Sequence, residues 1–198
     1  MNSQLPKDWT WMKLGEVCNI HQGYGFPKNL QGLKSGKYPF YKVGDISKNV
    51  KAGYRYLEFC DNFIDEKTLH QLKAKSYPVN TIVFAKIGEA LKLNRRAIIR
   101  KSGIVDNNAI GLKAIDSYCT DLFLFHFFTT VKLEDYSRAT TVPSVRKSDI
   151  EEIQIPLPPK LTQQAIVSKI EELFSEIEKG IESLFTAQQQ LKTYRQSV

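Results

Sequence analysis

Hydrophobic and polar positions divide the chain into two parts that meet near residue 155. In the first part, short apolar runs rich in β-branched and aromatic residues alternate with glycine-containing turns, a pattern that favours strands. The runs that predict strands are Tyr38–Val43, Thr81–Ala85, Ala97–Arg100 and Ala109–Ala114. The segments that predict helices are Asp65–Lys75, the almost wholly apolar and therefore buried Asp121–Lys132, and the short Asp149–Glu152.

The second part has the pattern of one long helix. Three prolines, Pro156, Pro158 and Pro159, make the segment before it stiff and extended, and no proline follows. Thr162 is the predicted N-cap. Apolar residues then recur at alternating intervals of four and three, which is the a/d seam of a coiled coil. The seam consists of Ile166, Ile170, Leu173, Ile177, Gly180, Leu184, Ala187, Leu191 and Tyr194.

The length of this helix predicts a partner. About 36 residues at 1.5 Å each give a rod of about 54 Å, and a domain of this size cannot cover the whole seam. Gly180 and Ala187 permit close approach of a second helix. The alternative is a helix folded back on its own domain.

Composition narrows the class of protein and the compartment. Of 198 residues, 42% are hydrophobic and 25% are charged, which indicates a folded domain with a core. No apolar run approaches the roughly 20 residues of a membrane span, and Met1–Thr10 lacks a secretory signal pattern. Cys18, Cys60 and Cys119 are scattered and form no CxxC pair. We therefore expect a cytoplasmic protein with no membrane association, disulfide framework or structural metal site.

The charge is distributed unevenly. The chain carries a net charge of +7, but residues 159–198 hold five basic and five acidic side chains, so the first 158 residues carry the entire excess. A cationic surface confined to one part of a protein favours a polyanionic partner. The alternative is a charge that serves solubility alone.

Two basic stretches are candidates for DNA contacts. Residues 86–96, whose basic run continues to Arg100 and Lys101, lie between predicted strands and supply Lys86, Lys92, Arg95 and Arg96, which suit phosphates or a guanine edge. Residues 138–148 combine hydroxyls with cations, the usual phosphate-contacting groups, and supply Ser144, Arg146 and Lys147. Either stretch is also compatible with a solvated charge run. Further candidates are Asn107 and Asn108, whose amides suit adenine, and more weakly Tyr24, Lys42 and Lys48.

Catalytic chemistry finds little support. His21, His70 and His126 are far apart, and His126 lies among phenylalanines, where a core histidine with satisfied hydrogen bonds is expected. Two carboxylates and a lysine, Asp45, Asp65 and Lys67, have a spacing that suits Mg²⁺ beside a scissile phosphate. The same Asp65 is also suited to the first turn of a helix.

Several stretches, in this order along the chain, resemble the specificity (S) subunit of type I restriction-modification systems. The linker Ile155–Pro159, leading into a helix that begins with the pair Gln163-Gln164, is the most specific of them. The others are Leu5–Trp9, Leu14–Val17, Pro39–Ile46, Asn80–Gly88, Asp106–Leu112 and Val142–Ile150.

The resemblance implies an α+β fold: a mixed α/β target recognition domain over residues 1–155, then a spacer helix over residues 156–198. S subunits usually carry two such units, whose spacer helices pack as an antiparallel coiled coil and whose domains read the halves of a bipartite DNA site. They have no catalytic activity. Methylation belongs to partner M subunits with S-adenosylmethionine, and cleavage belongs to R subunits with ATP and Mg²⁺, so this chain holds no cofactor.

This sequence contains one unit, which leaves a natural half-subunit and a fragment both open. One unit per chain predicts a homodimer, or a pair with another half-subunit, that reads an inverted repeat in double-stranded DNA. The residues expected to form the pair are Ile166, Ile170, Leu173, Ile177, Leu184 and Leu191. The alternatives are a stand-alone DNA-binding protein or anti-restriction competitor, and a Mg²⁺-dependent nuclease that uses Asp45, Asp65 and Lys67.

Overall fold

The computed structural model of the protein describes residues 5–137 and 142–197. Residues 138–141 of the second basic stretch lie outside this description. The strands are β1 Thr10–Lys13, β2 Cys18–Gln22, β3 Tyr38–Tyr41, β4 Phe63–Ile64, β5 Ile82–Ala85, β6 Arg96–Ile98, β7 Ile104–Val105, β8 Ala109–Ala114 and β9 Gln154–Leu157. The helices are α1 Leu14–Val17, α2 Val43–Lys51, α3 Glu66–Gln71, α4 Glu89–Lys92, α5 Asp121–Thr130, α6 Lys147–Glu151 and α7 Lys160–Ser197.

A four-stranded antiparallel sheet in the order β2-β8-β5-β6 organises the domain. Successive residues of β5 face opposite sides, so Ile82 and Phe84 pack into one hydrophobic cluster with α5 while Val83 packs into a second cluster with Tyr41 and Ile46. A sheet buried on both faces explains why β5 and β8 read as continuous apolar runs in the sequence.

Two smaller sheets complete the domain. Strand β3 pairs antiparallel with β4 and parallel with β7. Strand β1 pairs antiparallel with β9, from Thr10 opposite Leu157 to Lys13 opposite Gln154. The proline-containing segment before α7 is extended where it forms β9, as predicted. Its pairing with β1 fixes the point from which α7 leaves the domain.

The predicted elements are present, and several of their ends differ. The strand predicted at Tyr38–Val43 ends at Tyr41, because Val43 already begins α2. The helix predicted at Asp65–Lys75 ends at Gln71, because the chain turns into the left-handed region at Lys73, where φ is 49°. Asp65 caps α3, accepting a hydrogen bond from the Thr68 amide at 2.8 Å.

The predicted N-cap of the long helix, Thr162, is wrong. Helix α7 starts at Lys160, and the Gln163 amide already donates to the Pro159 carbonyl at 3.0 Å. The Gln163 side chain is fully buried and attaches the base of the helix to the domain. Its Oε1 accepts a hydrogen bond from the Thr120 backbone amide at 2.9 Å, and its Nε2 donates to the carbonyls of Tyr118 at 2.8 Å and Pro158 at 2.9 Å.

Only the first turns of α7 lie on the domain, against α5. Ile166 and Ile170 are half-buried there, so the domain covers only the start of the predicted seam. From Leu173 onwards the helix is exposed, so a helix folded back along the domain is excluded. Three large apolar residues outside the predicted seam, Phe174, Ile181 and Phe185, widen this exposed face.

No helix in residues 5–137 or 142–197 combines the length and apolar character needed to cross a membrane.

Candidate nucleic-acid interface

One end of the central sheet brings the two basic stretches together. Ile87, just after β5, forms a β-bridge with Ser144. The bridge is flanked by hydrogen bonds from the Val145 amide to the Lys86 carbonyl at 2.9 Å and from the Gly88 amide to the Pro143 carbonyl at 2.8 Å. Backbone pairing therefore joins segments almost sixty residues apart in the chain, and it fixes the positions of their side chains relative to each other.

The pairing forms a cleft of about 480 Å³. Its wall carries three cations, a glutamine and two serine hydroxyls beside two isoleucines. The lining residues are Gln22, Lys86, Ile87, Ile110, Ser144, Val145, Arg146, Lys147 and Ser148. Cations with hydroxyl and amide groups around a shallow cleft are suited to contact phosphate oxygens and base edges.

A short helix holds the basic wall of the cleft. The carboxylate of Asp149 accepts a hydrogen bond from the Arg146 amide at 2.9 Å and so closes the first turn of α6. Lys147 forms a partly exposed ion pair with Glu151 at 3.5 Å. Such a pair contributes about 0 to 1 kcal/mol, so it leaves Lys147 able to exchange Glu151 for a phosphate.

The turn between β7 and β8 adjoins this cleft. The Lys86 amide donates to the Asn108 carbonyl at 2.8 Å, and the side chains of Asn107 and Asn108 are exposed. Tyr24 is bridged to the same turn at Asp106, but its hydroxyl accepts a hydrogen bond from the Lys75 amide at 3.0 Å. The two asparagines therefore stay candidates for base contacts, whereas the Tyr24 hydroxyl already has a partner within the domain.

Arg96 is not a DNA-contacting residue. Its side chain is directed into the core and the residue is 5% exposed. The guanidinium lies between two rings, with Cζ 5.7 Å from the centroid of Phe84 and 4.7 Å from that of Phe128, and donates to the Val131 carbonyl at 3.0 Å. Burial lowers the pKa of Arg96 to about 10. Its position on β6 is the reason: neighbouring strand residues face opposite ways, and Arg96 faces inward.

The remaining basic candidates do not line this cleft. Lys92 forms an ion pair with Glu89 on α4 at 2.8 Å, and Arg95, three residues later, is half-buried. Lys42 contacts Gln31 and the ring of Phe26, and Lys48 pairs with Asp61. Lys42 and Lys48 line a separate cleft of about 330 Å³ that also contains Asp45 and Asp61, so its charge is mixed.

The nuclease alternative is not favoured by the structure. Asp45 is 4% exposed and accepts hydrogen bonds from the amides of Lys42 at 2.8 Å and Asp61 at 3.3 Å. Burial raises the pKa of Asp45. Asp65 caps α3. Within the described residues no group of three or more histidines, cysteines or carboxylates is placed to hold a metal.

His126 is a satisfied core histidine, as predicted. Its side chain is 10% exposed, and its Nε2 lies 2.7 Å from Glu171 Oε1 on α7. Among the cleft residues, Gln22 and Ile110 lie outside both predicted basic stretches, while Ile87, Val145 and Ser148 lie inside them but were not predicted to be contacts. Gln22 is the last residue of β2. The sequence contains no signal that distinguishes a polar strand end at a cleft from a polar strand end elsewhere on the surface.

Fold and cleft together define a class: a basic α/β domain with a cation-lined cleft, carried on a projecting helix with an uncovered apolar face. The family model for the type I restriction modification DNA specificity domain matches residues 6–184. The chain therefore belongs to this family, as the sequence resemblance indicated.

Relatives and solved structures agree with this assignment. The chain is 30% identical to the type I restriction enzyme MjaIX specificity subunit of Methanocaldococcus jannaschii, over 89% of this chain and 40% of that protein. It is 34% identical to the EcoDI specificity subunit of Escherichia coli, over 98% and 38%. The crystal structure of the HsdS subunit from Thermoanaerobacter tengcongensis shares the fold, with a TM-score of 0.64 at 18% identity over 89% and 40% of the two chains. The chain thus spans about two fifths of these proteins.

Proposed function

We propose that this chain is a sequence-specific DNA-recognition unit of a type I restriction-modification complex, without catalytic activity of its own. One observation carries the proposal: the bridge between Ile87 and Ser144 unites both basic stretches in one cleft, in a chain that belongs to the specificity family. The unit directs methylation by M subunits, which use S-adenosylmethionine, and cleavage by R subunits, which use ATP and Mg²⁺. Its place of action is the cytoplasm.

The cleft side chains divide between two roles. Lys86, Arg146 and Lys147 contact phosphates and position the domain on double-stranded DNA. Gln22, with Asn107 and Asn108 on the neighbouring turn, reads base edges, since an amide pairs with adenine in the major groove. Ser144 supports either contact through its hydroxyl.

A second unit completes the site. In our proposal residues 1–155 form the recognition domain and residues 156–198 the spacer, which pairs with the spacer of a second copy or of another half-subunit. Two domains related by a twofold axis read an inverted, two-part sequence, and the helix pair sets the gap between its halves. The exposed apolar face of α7 beyond Leu173 supports this pairing.

The direct test is methylome mapping in cells that express the cognate M subunit, with and without this chain. We expect methylation at a two-part motif only when the chain is present. Binding without methylation would instead support the stand-alone DNA-binding protein. Methylation at the same motif without the chain would overturn the proposal.

Charge substitutions separate the cleft from the rest of the surface. We expect R146A and K147A each to weaken binding to all DNA sequences and to reduce the slope of log affinity against log salt by about 1. The matched control is K67A, which removes an exposed lysine on α3, away from the cleft. Equal effects of K147A and K67A would show that the cleft is not the DNA interface.

A further inference from the structure

The exposed part of α7 has opposite charges at its two ends. Residues 171–182 contain five glutamates and a single lysine, Lys179, whereas residues 183–197 contain Lys192 and Arg195 and no acid. In a parallel pair the two acidic segments would lie side by side and repel each other. In an antiparallel pair the basic end of one helix lies against the acidic segment of the other, so the charges favour an antiparallel second copy.

Small and large residues alternate along the seam, so registers that differ by one heptad all set small residues against large ones. The charges select among them, because the register centred on residue 182 sets the acidic residues 171–182 against residues 182–193 of the second copy. Gly180 and Ala187 leave space on the seam, and large residues stand nearby. When Gly180 meets Leu184 of the second copy, Ala187 meets Ile177, Leu173 meets Leu191, and Ile170 meets Tyr194. Each small residue then faces a large one, and each layer is apolar, as knobs-into-holes packing requires.

This register brings Tyr194 to an open groove at the base of the partner's helix. The groove measures about 230 Å³ and lies where α7 leaves α5. Its walls are mainly apolar: Trp9, Phe123, Phe127, Pro156, Ile166 and Ile170. Tyr194 is 68% exposed on its own helix. An aromatic side chain with a polar tip suits such a site, because the ring is buried while the hydroxyl reaches the rim.

We propose that this groove is the docking site for Tyr194 of a second copy, and that Tyr194 fixes the register of an antiparallel helix pair. The inference rests on the proposed pairing of two units and specifies its contact. Each domain then holds the tip of the other chain's helix, so the site is incomplete without the second copy. A shift by one heptad would instead set Tyr194 against Ile177, seven residues from the groove.

Disulfide trapping on the full chain tests orientation and register. The background is C60S, since Cys18 and Cys119 are buried and Cys60 is half-buried. We expect the double variant I177C/A187C to form covalent dimers on oxidation, while I177C and A187C alone do not. Dimers from each single variant would show a parallel pair, and dimers from I177C/Y194C in place of I177C/A187C would show the shifted register. Either result would overturn the inference.

Sedimentation equilibrium tests the docking contact. We expect Y194A and W9A each to weaken dimerisation at least about tenfold, as for a buried aromatic anchor, and the double variant to be little weaker than either. T193A is the control, because Thr193 lies outside the seam and its hydroxyl donates to the Gln189 carbonyl of its own helix. A dimer that Y194A leaves unchanged would remove Tyr194 from the interface. A wild-type chain that stays monomeric up to 100 µM would overturn the pairing itself, whereas DNA binding by the single domain would be unaffected.

Discussion

His126 on α5 and Glu171 on α7 meet through Nε2 and Oε1 at 2.7 Å. The guanidinium of Arg55, on the loop after α2, reaches the same carboxylate oxygen at 2.8 Å. Two elements of the domain, α5 and the loop after α2, thus contact one side chain of the long helix, eleven residues after its first residue. With the buried Gln163 at the base, this contact gives α7 a second point of attachment and therefore a defined direction.

The substitution E171Q should therefore loosen the attachment of the helix. We expect it to lower the free energy of unfolding by about 1 kcal/mol, a value kept small because Glu171 is partly exposed. Urea unfolding measures the loss. E172Q is the control, because Glu172 pairs with Lys169 on its own helix. Equal losses for the two variants would contradict the role given to Glu171.

The same contact predicts a pH dependence. Partial burial alone would raise the pKa of Glu171, but hydrogen bonds from Arg55 and His126 outweigh it and hold the pKa below its ordinary value. A carboxylate with a lowered pKa stabilises the fold above its unfolded-state pKa of about 4.3, and this stability is lost as the pH falls through the folded value. The difference in unfolding free energy between wild type and E171Q should shrink as the pH falls below about 4. A difference that grows in that acidic range would contradict the lowered pKa of Glu171.

Substitution of Arg96 should lower the stability of the fold and leave the affinity for DNA unchanged. Replacement by alanine removes a side chain packed between Phe84 and Phe128, and we expect R96A to cost about 3 kcal/mol. R96M keeps much of the volume and removes a buried charge, so its cost should stay below about 1.5 kcal/mol. Chemical denaturation and DNA titration of folded R96M check both statements. Weakened DNA binding by stable R96M would return Arg96 to the interface.

Substitution of Gln163 should lower the free energy of unfolding far more than substitution of its neighbour Gln164. The variant Q163A leaves three backbone groups without their partner: the Pro158 carbonyl, which is buried, and the partly buried Thr120 amide and Tyr118 carbonyl. We expect a loss of about 2 to 3 kcal/mol in unfolding free energy. Gln164 is exposed, so Q164A should change stability by less than about 0.5 kcal/mol. Thermal unfolding of the pair gives the comparison.

The sequence predicted those parts of the structure that follow from local patterns. Strand β8 has its predicted bounds, Ala109–Ala114, because an apolar run between turns admits few alternatives. The long helix after the prolines was likewise predicted from a local pattern, the regular spacing of its apolar residues. The start of α7 was misplaced because a proline before Lys160 and a threonine at 162 both mark plausible helix starts, and the buried contacts of Gln163 decide between them.

The candidate site was predicted only in part. Lys86, Ser144, Arg146 and Lys147 do line one cleft, but the backbone pairing that unites them is a contact between distant segments. Arg95 and Arg96 are adjacent and chemically identical, and one of them is in the core. Sequence gives no way to tell which, since the answer depends on the face of β6 that α5 covers.

The pairing of β1 with β9 has a consequence for how such proteins change. At Lys13 and Gln154 the chain enters and leaves the body of the domain side by side, and the hydrogen bond from the Leu14 amide to the Ile153 carbonyl at 2.8 Å continues this pairing. A segment that replaces residues 14–153 would keep β1, β9 and the exposed part of α7. It would also have to supply the contacts that Gln163 and Glu171 make with the domain, since their partners Thr120, Tyr118 and His126 lie within the exchanged segment.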